Sequence, residues 1–218
     1  MEPDAATWIA RTAEHVRQQM AGDATGHDWF HIERVRRMAL RIAREEGADP
    51  VVVELAALLH DLDDWKRTGD PEAGPRQARA WLTSQQVPAP LVEHVCQIIQ
   101  ELSFKGSEVP TPMSSLEGCC VQDADRLDAL GAIGIARAFA YGGHHGRLLY
   151  DPEQPPERHA SFAAYQRSRG PTLNHFYEKL LLLAERMQTA TGRQVAQQRH
   201  RFLEQFLERF LAEWEGRL

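Results

Sequence analysis

Apolar residues recur at helical spacing along nearly the whole chain, and period-two alternation of useful length is absent. From about residue 4 to 21, Ile9, Val16 and Met20 share one face behind Asp4, whose short acceptor side chain suits a helix N-cap. A second helix is predicted to begin near Asp28 and to stop at Gly47. The pattern therefore predicts helices and no sheet.

The segment VVVELAALLHDLDD, predicted to be helical from Pro50 to about Asp64, is apolar on nearly every side. A helix of this kind is usually buried, so we place it at the centre of the fold. Further helices are predicted at about 73–86, 89–103, 114–141, 172–190 and 193–215. The expectation is one all-α domain over residues 1–218, a bundle of about eight helices.

Residues 142–170 break the helical pattern with GGHHGRLLYDPEQPP, which is rich in Gly, Pro and His. A loop this long inside a compact domain is often a functional lid and otherwise an excursion without regular structure. Both interpretations fit the sequence, and the lid is the one we favour.

The composition limits the classes of partner. Of 218 residues 43% are hydrophobic and 26% charged, with a net charge of −6, and no basic face of the kind that binds nucleic-acid polymers is evident. One segment is locally rich in arginine, and a solvated helix face is its simplest explanation; Arg34 is the member we single out as a phosphate ligand. The arginines of this segment are Arg34, Arg36, Arg37, Arg41 and Arg44.

Three cysteines, Cys96, Cys119 and Cys120, occur without CxxC spacing, which argues against a thiolate zinc site and favours a reducing compartment. We expect all three to be small core residues. The N-terminal segment has neither a basic n-region nor an apolar h-region, and no apolar run approaches the length of a membrane span. The sequence thus predicts a cytoplasmic protein without a membrane partner.

Histidines and carboxylates on predicted helices form the candidate metal site. His31, the pair His60-Asp61 and an acid in VQDADRLDALG offer mixed nitrogen and oxygen ligands that leave coordination positions open. An isolated His-Asp pair is weak evidence, because His60 could simply favour a helix C-terminus and Asp61 could be a surface residue. A metal-dependent hydrolase is nevertheless the leading interpretation.

Four segments resemble the HD-domain superfamily of metal-dependent phosphohydrolases, and most closely its small stand-alone bacterial members. They are HDWFHIERV, LAALLHDLDDWK, VQDADRLDALGAIGIARAFAYGG and NHFYEKLLLLAERMQTATGR. The resemblance runs from about residue 25 to the C-terminus. It implies an all-α fold, one divalent cation (manganese, magnesium, nickel or iron) and hydrolysis of a phosphoester or phosphoanhydride.

The resemblance implies that His31, His60, Asp61 and a late aspartate hold the ion. Asp123 and Asp125 are two apart on a helix and point about 200° away from each other, so they cannot both reach it. The family habit of an Ala-Asp pair followed by a short run fits Asp125. Asp123 remains the alternative or a neighbour of the ligands, and Asp128 is a candidate for orienting a histidine ligand.

Other residues are candidates for proton transfer. Asp64 returns to the face of the ligand pair one turn on, where related hydrolases carry an acid, although an exposed helix-end carboxylate is the alternative. His27 shares a face with His31 and could hydrogen-bond the attacking water or substrate, or simply cap the helix. His94 is interpreted as a buried structural histidine, with a second metal as the alternative.

Candidates for binding the substrate phosphate are Arg34, Lys66 and the pair His175 and Lys179, each of which could instead be an ordinary surface cation. The expected partner is a small phosphorylated molecule, with a nucleotide or related pyrophosphate preferred from the family. The last helix repeats Phe at 202, 206 and 210, which fits core packing or the seam of a homodimer.

Two other classes of function stay open. Some HD folds bind two irons and act as oxygenases, which requires additional histidine ligands such as His27 and His94. A non-catalytic HD module for regulation or dimerisation is the other, although it would have no reason to keep four costly polar residues on packed helices.

Overall fold

The structure is a computed structural model, and it describes residues 3–20, 28–62, 70, 72–102, 111–157 and 170–218. These residues form nine α-helices and two short 3-10 turns, with no strand among them, which confirms the all-α prediction. The helices are α1 (Ala5–Gln19), α2 (Trp29–Glu46), α3 (Pro50–Leu59), α4 (Ala73–Ser84), α5 (Ala89–Glu101), α6 (Leu116–Asp128), α7 (Gly131–His144), α8 (Asn174–Glu178) and α9 (Ala190–Trp214). The 3-10 turns are Leu180–Leu182 and Ala184–Arg186.

The chain divides into two units, Met1–Phe104 with Pro110–Asp125, and Lys105–Val109 with Arg126–Leu218. In the first unit, α3 packs against α1, α2 and α5, and α4 packs against α5. The side chains of α3 are buried on almost all sides, including Val53, Leu55 and Leu58 at 0% exposure. This burial confirms the central position that its apolar sequence predicts.

Local caps set the beginnings and ends of the first helices. Asp4 and Asp28 each accept a backbone N–H three residues on, at the starts of α1 and α2. Gly47 ends α2 in the left-handed region at φ 79°, where glycine carries no Cβ penalty. Pro50 follows at the first position of α3, behind Asp49, which accepts from the backbone N–H of Val51 and Val52.

Two long predicted helices are interrupted in the structure. The predicted helix 114–141 is broken into α6 and α7 at Gly131, which has φ 71°. Arg199 of α9 lies against Gly131 and donates to the backbone carbonyl of Leu127, so this break is held by packing within the second unit. The predicted helix 172–190 is only the short α8 followed by the two 3-10 turns.

The predicted loop at 142–170 is partly helical, because α7 continues to His144. Residues 147–157 then lie along the segment before and within α8. Thr172 and Leu173 donate backbone N–H groups to the carbonyls of Leu148 and Leu149 at 2.8 and 3.0 Å. The side chains of Asn174 and Glu178 bond the backbone of residues 154 and 157. Residues 158–169 lie outside the described part, so the role as a lid stays a prediction.

Aromatic side chains form the core of the second unit. Phe139 of α7, Phe176 of α8 and Phe206 of α9 have ring centroids 5.7–6.0 Å apart, and Phe210 joins them. The predicted core packing of the α9 phenylalanines therefore holds for residues 206 and 210, whereas Phe202 is 47% exposed. No helix in the described ranges is long and apolar enough to span a membrane.

Candidate metal centre

The first turn of α2 carries His31. Its backbone N–H donates to the Asp28 carboxylate at 2.9 Å, so the N-cap of the helix also fixes the residue's main chain. The residue is 1% exposed and is among the buried residues of α2, with Ile32 and Val35. A histidine this deeply buried needs a polar partner.

His60 and Asp61 do not continue α3, contrary to the prediction of a helix to about Asp64. The helix ends at Leu59, His60 is its C-cap, and Asp61 lies in the following turn. The ring of His60 is oriented by Nδ1, which donates to the carbonyl of Ala57 at 2.9 Å. Because a carbonyl can only accept, Nδ1 carries the hydrogen, and in the neutral ring the lone pair is on Nε2.

Asp125 of α6 reaches both histidines. One of its carboxylate oxygens lies 3.5 Å from His31 Nε2 and 3.8 Å from His60 Nε2. Asp61 approaches from its own turn, with a carboxylate oxygen 3.6 Å from His31 Nε2. The structure thus brings together the four residues that the sequence proposed as ligands. Among the described residues, His31, His60 and Asp125 form the group of potential ligand atoms, all within 4.8 Å of one another.

The geometry of this group fits a cation. Ligand atoms about 2.1 Å from one ion and separated by 90–120° around it lie roughly 3.0–3.6 Å from one another. The observed 3.5–3.8 Å separations are close to this range and longer than ordinary hydrogen bonds. His60 Nε2 is buried and no described atom lies within hydrogen-bond distance of it, the Asp125 oxygen being 3.8 Å away, so a metal ion could be the partner of this nitrogen.

The charge around His60 also favours a cation. Burial by itself lowers the pKa of this imidazole, but the carboxylates of Asp125 and Asp61 and the Ala57 carbonyl outweigh it and raise the pKa to about 9. A site that stabilises a proton on a buried ring to this degree has a net negative potential at the ring nitrogen. The same potential would attract a divalent cation.

The neighbouring acids of α6 have different surroundings. Asp123 is fully buried, and the described residues that form the ligand group include Asp125 rather than Asp123. Asp128 is also buried and accepts a hydrogen bond from Arg137 at 2.8 Å within the second unit. Its predicted part in orienting a histidine ligand stays a prediction.

The predicted phosphate-binding and second-metal residues lie on several helices. Arg34 lies on α2, one turn after His31, and is partly buried. His175 and Lys179 belong to the second unit, in α8 and directly after it. His94 on α5 is not buried as expected: its side chain is 35% exposed, and its Nε2 lies 3.7 Å from a carboxylate oxygen of Glu117.

Three predicted residues, His27, Asp64 and Lys66, lie outside the described ranges. Their roles therefore stay predictions.

One ion pair was missed by the sequence analysis, which grouped Arg36 with solvated arginines. Its guanidinium donates to Glu54 of α3, whereas Arg37, Arg41 and Arg44 are exposed, as expected of a solvated face.

Comparison with known proteins identifies the family of this part of the chain. The model of the HD-domain family matches residues 29–130, the range that includes His31, His60, Asp61 and Asp125. The chain is 39% identical over 194 residues to the uncharacterized protein YpgQ of Bacillus subtilis, covering 88% of this chain and 86% of YpgQ.

Solved structures cover almost the whole chain. A Lactobacillus plantarum protein has a TM-score of 0.85 at 39% identity, covering 96% of this chain and 98% of its own. An HD-superfamily hydrolase from Bacillus thuringiensis has a TM-score of 0.77 at 44% identity, covering 97% and 99%. Bacillus subtilis YpgQ in complex with ADP has a TM-score of 0.70 at 36% identity, covering 92% and 96%.

Proposed function

We propose, for this chain, which belongs to the HD-domain family, a divalent-metal-dependent phosphohydrolase activity. The enzyme would cleave a phosphoester or phosphoanhydride of a small molecule, namely a nucleotide or related pyrophosphate. The observation that carries the proposal is the convergence of two buried imidazoles and one carboxylate within 4.8 Å, with His60 Nε2 lacking a hydrogen-bond partner among the described residues.

The ligands in this proposal are His31, His60, Asp61 and Asp125, around one ion of manganese, magnesium, nickel or iron. Two neutral imidazole nitrogens and two anionic carboxylate oxygens are ligands that suit these hard and borderline cations. Four protein ligands would leave two positions of an octahedral ion for water and substrate. Asp123 remains the alternative to Asp125.

When bound, the cation polarises phosphoryl oxygens and lowers the pKa of a water molecule that it binds. The Ala57 carbonyl keeps the His60 ring in the orientation in which Nε2 faces the other ligands. Asp64 is proposed to accept the proton of the attacking water, and His27 is proposed to hydrogen-bond that water or the substrate. Asp128 is proposed to help to orient the ligands.

The substrate class rests on charge and on one relative. Arg34, Lys66, His175 and Lys179 are the proposed contacts to phosphate, since guanidinium and ammonium groups bind phosphate oxygens by charge-assisted hydrogen bonds. Bacillus subtilis YpgQ has been crystallised with ADP, which supports a nucleotide-like ligand here. We propose that no nucleic-acid polymer or membrane takes part, and that the protein works in the cytoplasm.

The alternatives receive less support. A di-iron oxygenase needs a second set of ligands, and in the described residues His94 is paired with Glu117 instead. A regulatory module would not need His60 Nε2 to be left buried without a hydrogen bond.

The test is hydrolysis of a panel of nucleoside mono-, di- and triphosphates and simple phosphoesters with added Mn²⁺, in wild type and in Asp61→Ala. We expect the release of phosphate or pyrophosphate by wild type and a loss of at least about a hundredfold in Asp61→Ala. Separate assays for the two products identify the bond that is cleaved. A wild type that is folded, loaded with Mn²⁺ and inactive across the panel would contradict the proposal.

A further inference from the structure

Helices α2 and α3 form an antiparallel hairpin that is closed at one end by a three-residue turn. Residues 47–49 join the end of α2 to the start of α3, so the first turn of α2 faces the last turn of α3. His31 and His60 stand at this open end, with ring centroids 5.3 Å apart. The chain does not connect the helices there, so their separation depends on packing and on side-chain bonds between them.

An ion pair joins the two helices between the turn and the histidines. Nε and Nη2 of Arg36 donate to one carboxylate oxygen of Glu54 at 2.7 and 2.5 Å. Arg36 lies five residues after His31, and Glu54 lies six residues before His60, so the pair is at nearly the same distance from both histidines. At 1.5 Å per residue this distance is about 8–9 Å along the helix axes.

Both partners of this ion pair are held in place. The side chains of Arg36 and Glu54 are 26% and 14% exposed, so water screens them less than a surface pair. Nη1 of Arg36 also donates to Glu33 at 3.0 Å, and Glu33 in turn accepts from Arg37 at 2.9 Å. The guanidinium therefore has fixed carboxylates on two sides, one on its own helix and one on α3.

We propose that Arg36 and Glu54 are positioning residues for the metal centre, which set the separation of α2 and α3 at which His31 and His60 converge. This inference rests on the proposed function, since it concerns the ion that the two histidines would share. The side chains of Arg36 and Glu54 act through the helices rather than by contact with the ion. Loss of the pair would let the open end of the hairpin widen while the turn at residues 47–49 holds the other end.

The test compares Mn²⁺ affinity, measured by titration calorimetry, in wild type, Arg36→Met and Glu54→Gln. Each variant is expected to bind Mn²⁺ about tenfold more weakly, the lower end of the effect usual for residues that support metal ligands. The double variant, Arg36→Met with Glu54→Gln, is expected to bind Mn²⁺ no more weakly than either single variant, because the two side chains act as one pair. Glu54→Gln is the milder change and keeps the test valid if Arg36→Met does not fold.

The matched control is Arg41→Met. Arg41 lies on the same helix and pairs with Glu45 at 3.4 Å, but that pair is exposed and joins no second helix. Its Mn²⁺ affinity should stay within about twofold of wild type, since exposed pairs of this kind contribute little. Hydrogen exchange of the metal-free proteins should show faster exchange at the open end of the hairpin in Arg36→Met and not in Arg41→Met.

Unchanged Mn²⁺ affinity in folded Arg36→Met and Glu54→Gln, beside a wild type that binds Mn²⁺, would overturn this inference alone. A wild type that binds no Mn²⁺ would overturn the proposed function and this inference together. Losses of affinity that simply add in the double variant would also overturn it, because the side chains would then act separately.

Discussion

The orientation of the His60 ring depends on one hydrogen bond to the backbone. Nδ1 donates to Ala57 three residues earlier, within the last turn of α3, and this places Nε2 toward His31, Asp61 and Asp125. A helix that ends at Leu59 is needed for the arrangement, since Asp61 then leaves the helical path and can approach the same point. His60 and Asp61 are thus positioned by the C-terminal end of α3 and the turn after it, not by one face of the helix.

Cys120 shows how burial changes the chemistry of a single residue. Burial, together with the neighbouring Cys119 and acidic side chains, raises the pKa of its thiol to about 12. The reactive thiolate is therefore scarce on the folded protein below this pH. Cys96 and Cys120 are buried, as predicted, whereas Cys119 is only partly buried and is not the core residue that the sequence predicted.

We predict that Cys120 resists alkylation by iodoacetamide between pH 7 and pH 9 in the native protein. Because the folded pKa lies above the ordinary value of 9.0, the unfolded chain loses this proton first, so stability is unaffected below about pH 9 and falls as the pH rises from there to about 12. The measurement is mass spectrometry of the Cys119→Ala variant, in which Cys120 is the only cysteine of its proteolytic peptide. The same variant unfolded in urea should be labelled fully, and rapid labelling in the native state would contradict the prediction.

At the scale of the element, the N-cap of α2 has a double role. Asp28 satisfies a backbone N–H at the start of the helix, and that N–H belongs to His31. Loss of the cap would fray the turn that carries a proposed ligand. The N-cap of α1 offers a close comparison, because Asp4 accepts from Thr7 at the same 2.9 Å but supports no residue of the metal centre.

We predict that Asp28→Ala and Asp4→Ala each lower the free energy of unfolding by about 1 kcal/mol, the usual contribution of an acidic N-cap. Only Asp28→Ala should also weaken Mn²⁺ binding. The loss should be at most about fivefold, which corresponds to the full ~1 kcal/mol being spent on reordering the first turn of α2 when Mn²⁺ binds. Urea denaturation and calorimetric titration of both variants measure the two effects. Equal Mn²⁺ affinity in the two variants would show that the cap does not support His31.

At the scale of the whole molecule, the chain contains two contact units, and each has its own core. In the first, the apolar helix α3 lies among α1, α2 and α5. In the second, the aromatic rings of α7, α8 and α9 pack together, with Phe176 at 0% exposure. The helix α6 begins in one unit and ends in the other, with the boundary after Asp125. The single domain that the sequence predicts stays a prediction.

We predict that the chain unfolds in one cooperative transition, because the two units share the helix α6. Phe176→Ala, which removes a fully buried ring, should lower the free energy of unfolding by about 3–5 kcal/mol. If the two units are coupled, hydrogen exchange in α3 should accelerate as much as in α9. Faster exchange confined to the second unit would show that the units are separate domains.

Features that depend on neighbours along the chain could be predicted from the sequence. The helix starts at Asp4 and Asp28, the stop at Gly47 and the central place of α3 follow from bonds within one turn or from a continuous apolar segment. The order of His31, His60, Asp61 and Asp125 likewise suggested a metal centre, because these side chains are costly to bury without a partner.

Features that depend on residues distant in sequence were decided only by the tertiary structure. The break at Gly131 is held by Arg199, 68 positions later, and no local pattern distinguishes it from a glycine inside a helix. Asp125 rather than Asp123 stands beside the histidines because α6 presents that side to α2 and α3. Arg36 forms an ion pair between helices, rather than being a solvated arginine, because Glu54 of α3 faces it. A helical period shows which residues share a face, but the partner of that face is set by packing.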